Sequence, residues 1–368
     1  MPERPADHPV RWRRALLIAA CGPVGVALFL AAMRCPDTVE RVYARGVYPF
    51  VQRALVAVAS LSPVALGELV LLAAIGAVMV RVALGLIAWR RGRRRLRNLF
   101  VHGVAQALAA GGVLLLVLVL LWGLNHARAP LAVQLGLAPA PADRARLVAV
   151  VRKLAERAAA ARPADLDATT FELPADWHER IADAYDVAAS QWPVFAGPRP
   201  VIRGPWLSRV MTLCSTTGIY SPITGEANVN AHMPDLEQPF AALHEVAHLR
   251  GYAREDEANF IAWWIGSRSS EPWIAYSSEL GAWRTAVNEA WRVDYLLAMQ
   301  LEEEAPEPVK RDESVLRAFW AGRPQLATKV LSAISATTND LYLKSAGHAD
   351  GVRSYGRMVD LLIAALDG

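Results

Sequence analysis

PFAALHEVAHLRGYAREDEAN, residues 239–259, contains the pattern His244-Glu245-Val246-Ala247-His248, an H-E-x-x-H run. On a helix, imidazoles at positions i and i+4 leave the same face and can bind one metal ion. Phe240, Leu243, Val246 and Ala247 supply the apolar side that such a helix needs. Zinc suits the pair, because neutral imidazole is a good ligand for that borderline-soft ion and a catalytic site keeps one coordination position open. Glu245, between the two histidines, is the expected general base.

A third ligand has to come from Glu255, Asp256 or Glu257. On an unbroken helix Glu257 would face about 180° away from the histidines, and Glu255 would face correctly but sit roughly 10 Å further along the axis. Gly251 is a natural terminator, since glycine accepts the left-handed backbone that ends a helix, and a reversal there returns a carboxylate to the ion. Glu257 starts the apolar pattern Glu257, Phe260, Ile261, Trp264, so it is the expected third ligand, with Glu255 second.

The rest of the chain is divided by hydropathy. It has 368 residues, 54% of them hydrophobic, a net charge of +4 and a mean hydropathy of +0.22. Apolar residues concentrate in runs at about 15–33, 64–89 and 104–124, each long enough to cross roughly 30 Å of hydrocarbon. The first run is too long for a cleaved signal peptide and lacks a small-x-small site. Arg81 interrupts the second, where its stem can snorkel towards the interface. Arg90, Arg91, Arg93, Arg94, Arg95 and Arg97 separate the second and third runs and, with Arg11, Arg13 and Arg14, are expected in the cytoplasm. Such a block, pinned between two spans, reads as a topology signal and not as a nucleic-acid site.

Residues 1–125 are therefore expected to form a membrane anchor of three transmembrane helices, and 126–368 an extracytoplasmic domain. The predicted fold is mainly α, with a small sheet just before the metal helix. Helical patterns cover Asp143–Ala161, Ala175–Gln191, Pro239–Arg250, Glu255–Ser267, Ser277–Glu304, Pro308–Leu343 with a break at Pro324, and Ser354–Leu366. Short β-type runs lie at Pro200–Ile202, Val210–Cys214 and Ile219–Tyr220. Cys21, Cys35 and Cys214 match no thiolate metal site; Cys35 and Cys214 share a compartment, but nothing requires them to pair.

Two resemblances follow. Glu257-Ala258-Asn259 resembles the Glu-Ala-Asp segment that carries the third zinc ligand in integral-membrane peptidases of the HtpX and CAAX-protease type, with Asn259 where those have an acid. More of the chain resembles the bacterial family catalogued as domain of unknown function 3810. The resemblance rests on three N-terminal spans, Trp122-Gly123-Leu124-Asn125, Gly218-Ile219-Tyr220, Thr224-Gly225-Glu226-Ala227-Asn228, the metal segment and Asp350-Gly351-Val352-Arg353-Ser354-Tyr355-Gly356. It implies the architecture, and an activity only through the metal motif.

The expected function is that of a zinc metallopeptidase of zincin-like, gluzincin type in the bacterial cytoplasmic membrane, acting on a peptide or protein in the cell envelope. His244, His248 and Glu257 are expected as ligands of Zn2+ and Glu245 as base. Arg353 or Tyr355 is the candidate oxyanion stabiliser. Residues 225–230 are expected as an exposed edge strand on which Glu226 and Asn228 meet an extended substrate. The rival is a non-catalytic envelope scaffold that retains the metalloprotease fold. A transporter is disfavoured, because the spans lack paired charges and broken-helix repeats. His232 and His348 fit no ligand spacing, and Trp263, Trp264, Trp273, Trp283 and Trp291 read as packing.

Overall fold

Three helices are long and apolar enough to cross a bilayer: Arg13–Ala32, Leu66–Arg90 and Leu96–Leu121. They match the expected runs to within a few residues at most ends, in a computed structural model that describes residues 10–92, 95–139, 141–324, 328 and 356–367. The first and third helices pack through small residues. Gly22 and Gly25 face Gly112 and Leu116, and a Cβ at Gly112 would sit 2.8 Å from the carbonyl oxygen of Ala19. Arg81 donates to the side chain of Gln106 on the third helix instead of snorkelling.

Between the first and second spans lies a helical segment that hydropathy alone does not mark. After Pro36–Thr38 comes a π-helical stretch, Val39–Val47, which runs directly into helix α1 (Tyr48–Ser60). Beyond the third span, after a short helical turn at Leu131–Leu135, the α-helices among the described residues are α2 (Arg144–Ala161), α3 (Trp177–Gln191), α4 (Ser208–Leu213), α5 (Gln238–Leu249), α6 (Glu255–Gly266), α7 (Pro272–Val293), α8 (Tyr295–Glu304), α9 (Glu307–Ala321) and α10 (Gly356–Asp367). The expected single helix over 277–304 is broken at Asp294, whose carboxylate accepts from the amides of Leu296 and Leu297 and starts α8. The tryptophans do pack: Trp263 and Trp283 are each only 1% exposed in the main core.

A sheet of three strands, β1 (Val201–Arg203), β2 (Gly218–Ser221) and β3 (Glu226–Val229), has the order β1-β3-β2, with β1 parallel and β2 antiparallel to β3. Two expectations change here. Residues 210–213 belong to α4, with Cys214 capping its end, and not to a strand. The amides of Trp206 and Leu207, just ahead of α4, donate to Glu68 of the second span, and this carboxylate organises the turn that starts the helix. The run 225–230 is the central strand, paired on both sides and buried throughout, so it has no edge to offer a substrate.

Its polar residues look exposed in sequence because their partners are remote. Glu226, fully buried, accepts from the amides of Leu66 and Gly67 at 2.8 Å each and from the Thr224 hydroxyl at 2.7 Å. It therefore caps the second span at its first turn. Glu226 and Glu68 thus tie the base of that span to the sheet and to α4. The Asn228 side chain donates to the carbonyl of Ile219 on β2. Both side chains are buried.

Helix α5 rests on β2 and β3 with one side and on α6 and α7 with another. Its C-terminal end is held from the membrane side. Tyr48 Oη donates to the carbonyl of Leu249 at 2.9 Å, and the Gln52 amide donates to the same oxygen. Trp122 Nε1 at the end of the third span donates to the carbonyl of His248 at 3.0 Å. Arg128 reaches the carbonyls of Arg250 and Gly251 at 3.2 Å each. The last carbonyls of a helix have no partner within it, and here the membrane-proximal segments supply them.

Candidate metal centre

Gly251, at φ +84°, ends α5, and the three residues Tyr252, Ala253 and Arg254 turn the chain into α6. Helix α6 starts at Glu255, so this residue, the closest to the reversal, faces back to the histidines. Glu255 Oε2 lies 3.2 Å from His244 Nε2, and Glu255 Oε1 lies 3.7 Å from His248 Nε2. One ligand atom from each of the three residues lies within 4.8 Å of the others.

Glu257, expected as the third ligand, is turned away from this cluster. Its Oε1 accepts from the amide of Leu131 at 2.8 Å and from Arg254 at 3.3 Å. The reason is helical phase: two residues are about 200° of rotation, so Glu255 and Glu257 cannot share a face. Asn259, four residues after Glu255, does share its face, and its Oδ1 is 2.8 Å from His244 Nδ1. The Nδ1 of His248 lies 2.7 Å from the carbonyl oxygen of Tyr252, an acceptor only, so this nitrogen carries the proton.

This is the chemistry a zinc ion requires. With both Nδ1 positions engaged outward, both Nε2 atoms are aimed inward beside a carboxylate, a set of two imidazoles and one oxygen donor that fits a zinc ion once the His244 proton leaves. The cluster's electrostatics point the same way. Burial opposes charge on Glu255, yet hydrogen bonding from His244 and the charges around it hold its carboxyl down to about 2. Burial also opposes charge on His244, but Glu255 beside it holds the imidazole up at about 9. Desolvation takes His248 down to about 4. A buried carboxylate that retains a proton on a neighbouring imidazole is a place where a cation is favoured. We expect Asn259→Leu to lower zinc affinity roughly 10–100-fold, the usual effect of losing a partner that orients a ligand. Competition against a chelating dye measures this, and unchanged affinity would show that His244 needs no such orientation.

Glu245 lies beside β2. It is 4% exposed and, among the described residues, joins no ion pair. Burial pushes its carboxyl up to about 7, with the charge of His244, and less strongly the Tyr220 amide of β2 that donates to it, pulling the other way. A Cβ on Gly218 would fall 2.5 Å from Glu245 Oε1, so only glycine leaves room for this carboxylate beneath the strand. The amide of Asn230 donates to the carbonyl of Thr217, which fixes the alternation of the β2–β3 ladder. Gly218 and Tyr220 then turn their amides and carbonyls to the unpaired edge, where the metal cluster lies.

Among the other expected site residues, Arg353 and Tyr355 lie outside the described residues, as does His348. His232 Nδ1 bonds Thr212 at 3.1 Å, away from the cluster. The three cysteines are free. Sequence reasoning missed the roles of Tyr48, Gln52 and Trp122, within the stretch expected as the anchor, and of Arg128 just beyond it, all of which hold the end of α5. No curated protein and no solved structure matches the chain. A family model does match, that described as protein of unknown function (DUF3810), over residues 43–363, and the chain belongs to that family.

Proposed function

We propose that the protein is a membrane-anchored zinc hydrolase that cleaves peptide bonds at the His244–His248–Glu255 centre. The observation that carries this reading is Glu245: a buried carboxylate with no ion-pair partner among the described residues, beside the donor set and bonded by the Tyr220 amide at the outer edge of β2. A structural zinc site has no use for such a group and closes its fourth position with a side chain. Topology is part of the proposal. The arginine block between the second and third spans is assigned to the cytoplasm and the metal-bearing body to the outside of a bacterial inner membrane.

When bound, zinc supplies a Lewis acid that polarises a carbonyl and acidifies water. His244 and His248 hold their lone pairs inward through Asn259 and Tyr252. Glu245 accepts the proton of the attacking water and delivers it to the departing amine, a role for which a carboxyl near neutral pH is suited. The edge of β2, through the amide and carbonyl of Gly218 and the carbonyl of Tyr220, is placed to pair with an extended substrate, the part that the run 225–230 cannot take.

Glu245→Gln is expected to keep the metal and to lower turnover by about 10²–10⁴-fold. Metal analysis of the purified full chain, together with a comparison of envelope protein N-termini in cells carrying either form, checks both halves. The scaffold reading draws support from the burial of the site, His248 being only 6% exposed. Identical N-termini in the two strains would favour it over hydrolysis.

A further inference from the structure

The segment between the first two spans presents two unlike faces. Tyr48, Gln52, Val56 and Ala59 are buried against the body. Val47, Phe50, Val58 and Leu61 are 48%, 69%, 58% and 84% exposed, and Ala54 is exposed between them. Their spacing of i, i+3, i+7, i+11 and i+14 is one unbroken apolar stripe. A stripe of this kind on an otherwise packed body marks an interaction surface.

Chain continuity names the occupant. The first span ends at Ala32 and the second starts at Leu66, with only 33–35 and 61–65 outside helix at the two junctions. Three and five residues reach at most roughly 10 and 17 Å, so the segment cannot rise far from where the spans leave the lipid. Arg53, beside Phe50 with its guanidinium carbon 5.7 Å from the ring centroid, flanks the stripe with a cation. A second marker lies at the same level. Trp206 is 67% exposed, and its amide bonds Glu68, in the first turn of the second span. Tryptophan and arginine are the residues that settle at the headgroup layer.

We propose that the segment 39–61 lies in the plane of the membrane surface, with Val47, Phe50, Ala54, Val58 and Leu61 in lipid and its opposite face gripping the metal helix. Tyr48 and Gln52 bind the carbonyl of Leu249, the residue next to His248. One helix-packing distance of roughly 8–10 Å therefore separates the segment from α5, and the cluster lies roughly 10–15 Å above the lipid-facing stripe. An extended chain covers that height in about four or five residues. Resting on the hydrolase reading, the substrate class is then peptide segments that adjoin a membrane anchor.

The test uses the full chain in nanodiscs of phosphatidylethanolamine and phosphatidylglycerol, with Cys21, Cys35 and Cys214 replaced. Nitroxides are attached at Phe50→Cys and Val58→Cys, and at Val187→Cys on the exposed face of α3. The expected result is preferential collision of the first two labels with oxygen and of the third with a water-soluble nickel chelate. Equal chelate access at all three positions overturns the placement. So does shielding of positions 50 and 58 from both reagents, which would show that protein, a second copy or a partner, covers the stripe. Zinc analysis on the same samples separates the two readings, because lipid-seated labels in a chain that holds no zinc sink the hydrolase and leave the placement intact. Glu245-dependent cleavage sites scattered far from anchors would overturn the substrate class alone.

Discussion

Replacing Glu255 with alanine in the full chain is expected to strip zinc from the protein, whereas Glu257→Gln is expected to keep it. The first change removes the oxygen donor that faces both Nε2 atoms, at 3.2 and 3.7 Å. Loss of a ligand should exceed the roughly 10–100-fold that loss of an outer partner costs. The second change keeps an oxygen to accept from the amide of Leu131. Burial already pushes the Glu257 carboxyl up to about 7, so the neutral amide replaces a group that readily loses its charge. Zinc stoichiometry by mass spectrometry, with folding checked by tryptophan emission, decides between them. Loss of metal from Glu257→Gln with retention in Glu255→Ala would reverse the assignment.

The carboxylate that faces the two histidines was within reach of the sequence. Asn259 is suited to orient a ligand histidine, and a residue that reaches the histidine pair from the same helix face as Asn259 must be three or four residues away, not two. Applying that phase to the returning helix excludes Glu257 and leaves Asp256 and Glu255, of which the fold brings Glu255 to the histidines. The spans and the metal helix were readable because each follows from periodicity or from a long uninterrupted apolar run. The central place of strand β3 was not, since Glu226 and Asn228 within it and Asn230 just after it give it the polarity of a surface strand. Their partners, the first turn of the second span, the carbonyl of Ile219 and the groups of Thr212 and Thr216, lie far off in sequence or across a turn. The segment 39–61 escaped for a related reason. Its arginines and Glu40 lower its hydropathy below that of a span, and only tertiary contacts show which side is covered.

The N-terminal segment is more than a tether, and this can be tested at the buried ion pair between Glu40 and Arg128, whose guanidinium holds the turn after α5. Arg128 and Glu40, with side chains 8% and 7% exposed, meet at 3.0 Å. The same guanidinium binds the carbonyls of Arg250 and Gly251 and lies 4.6 Å over the ring of Tyr252, whose own carbonyl fixes His248. Arg128→Met leaves Glu40 buried with only the exposed Arg45 to pair with, and leaves two helix-end carbonyls without donors. Breaking a buried pair from one side costs about 3–5 kcal/mol, so this variant is expected to lose that much stability in micelles and to bind zinc more weakly. Adding Glu40→Gln removes the stranded charge and should recover part of the stability. Zinc binding should recover less, because the carbonyls of Arg250 and Gly251 remain undonated and the turn that orients His248 stays loose. Full recovery of both by the double variant would mean that Arg128 acts only as a counter-ion; no loss in the single variant would mean that the anchor does not hold the metal helix at all.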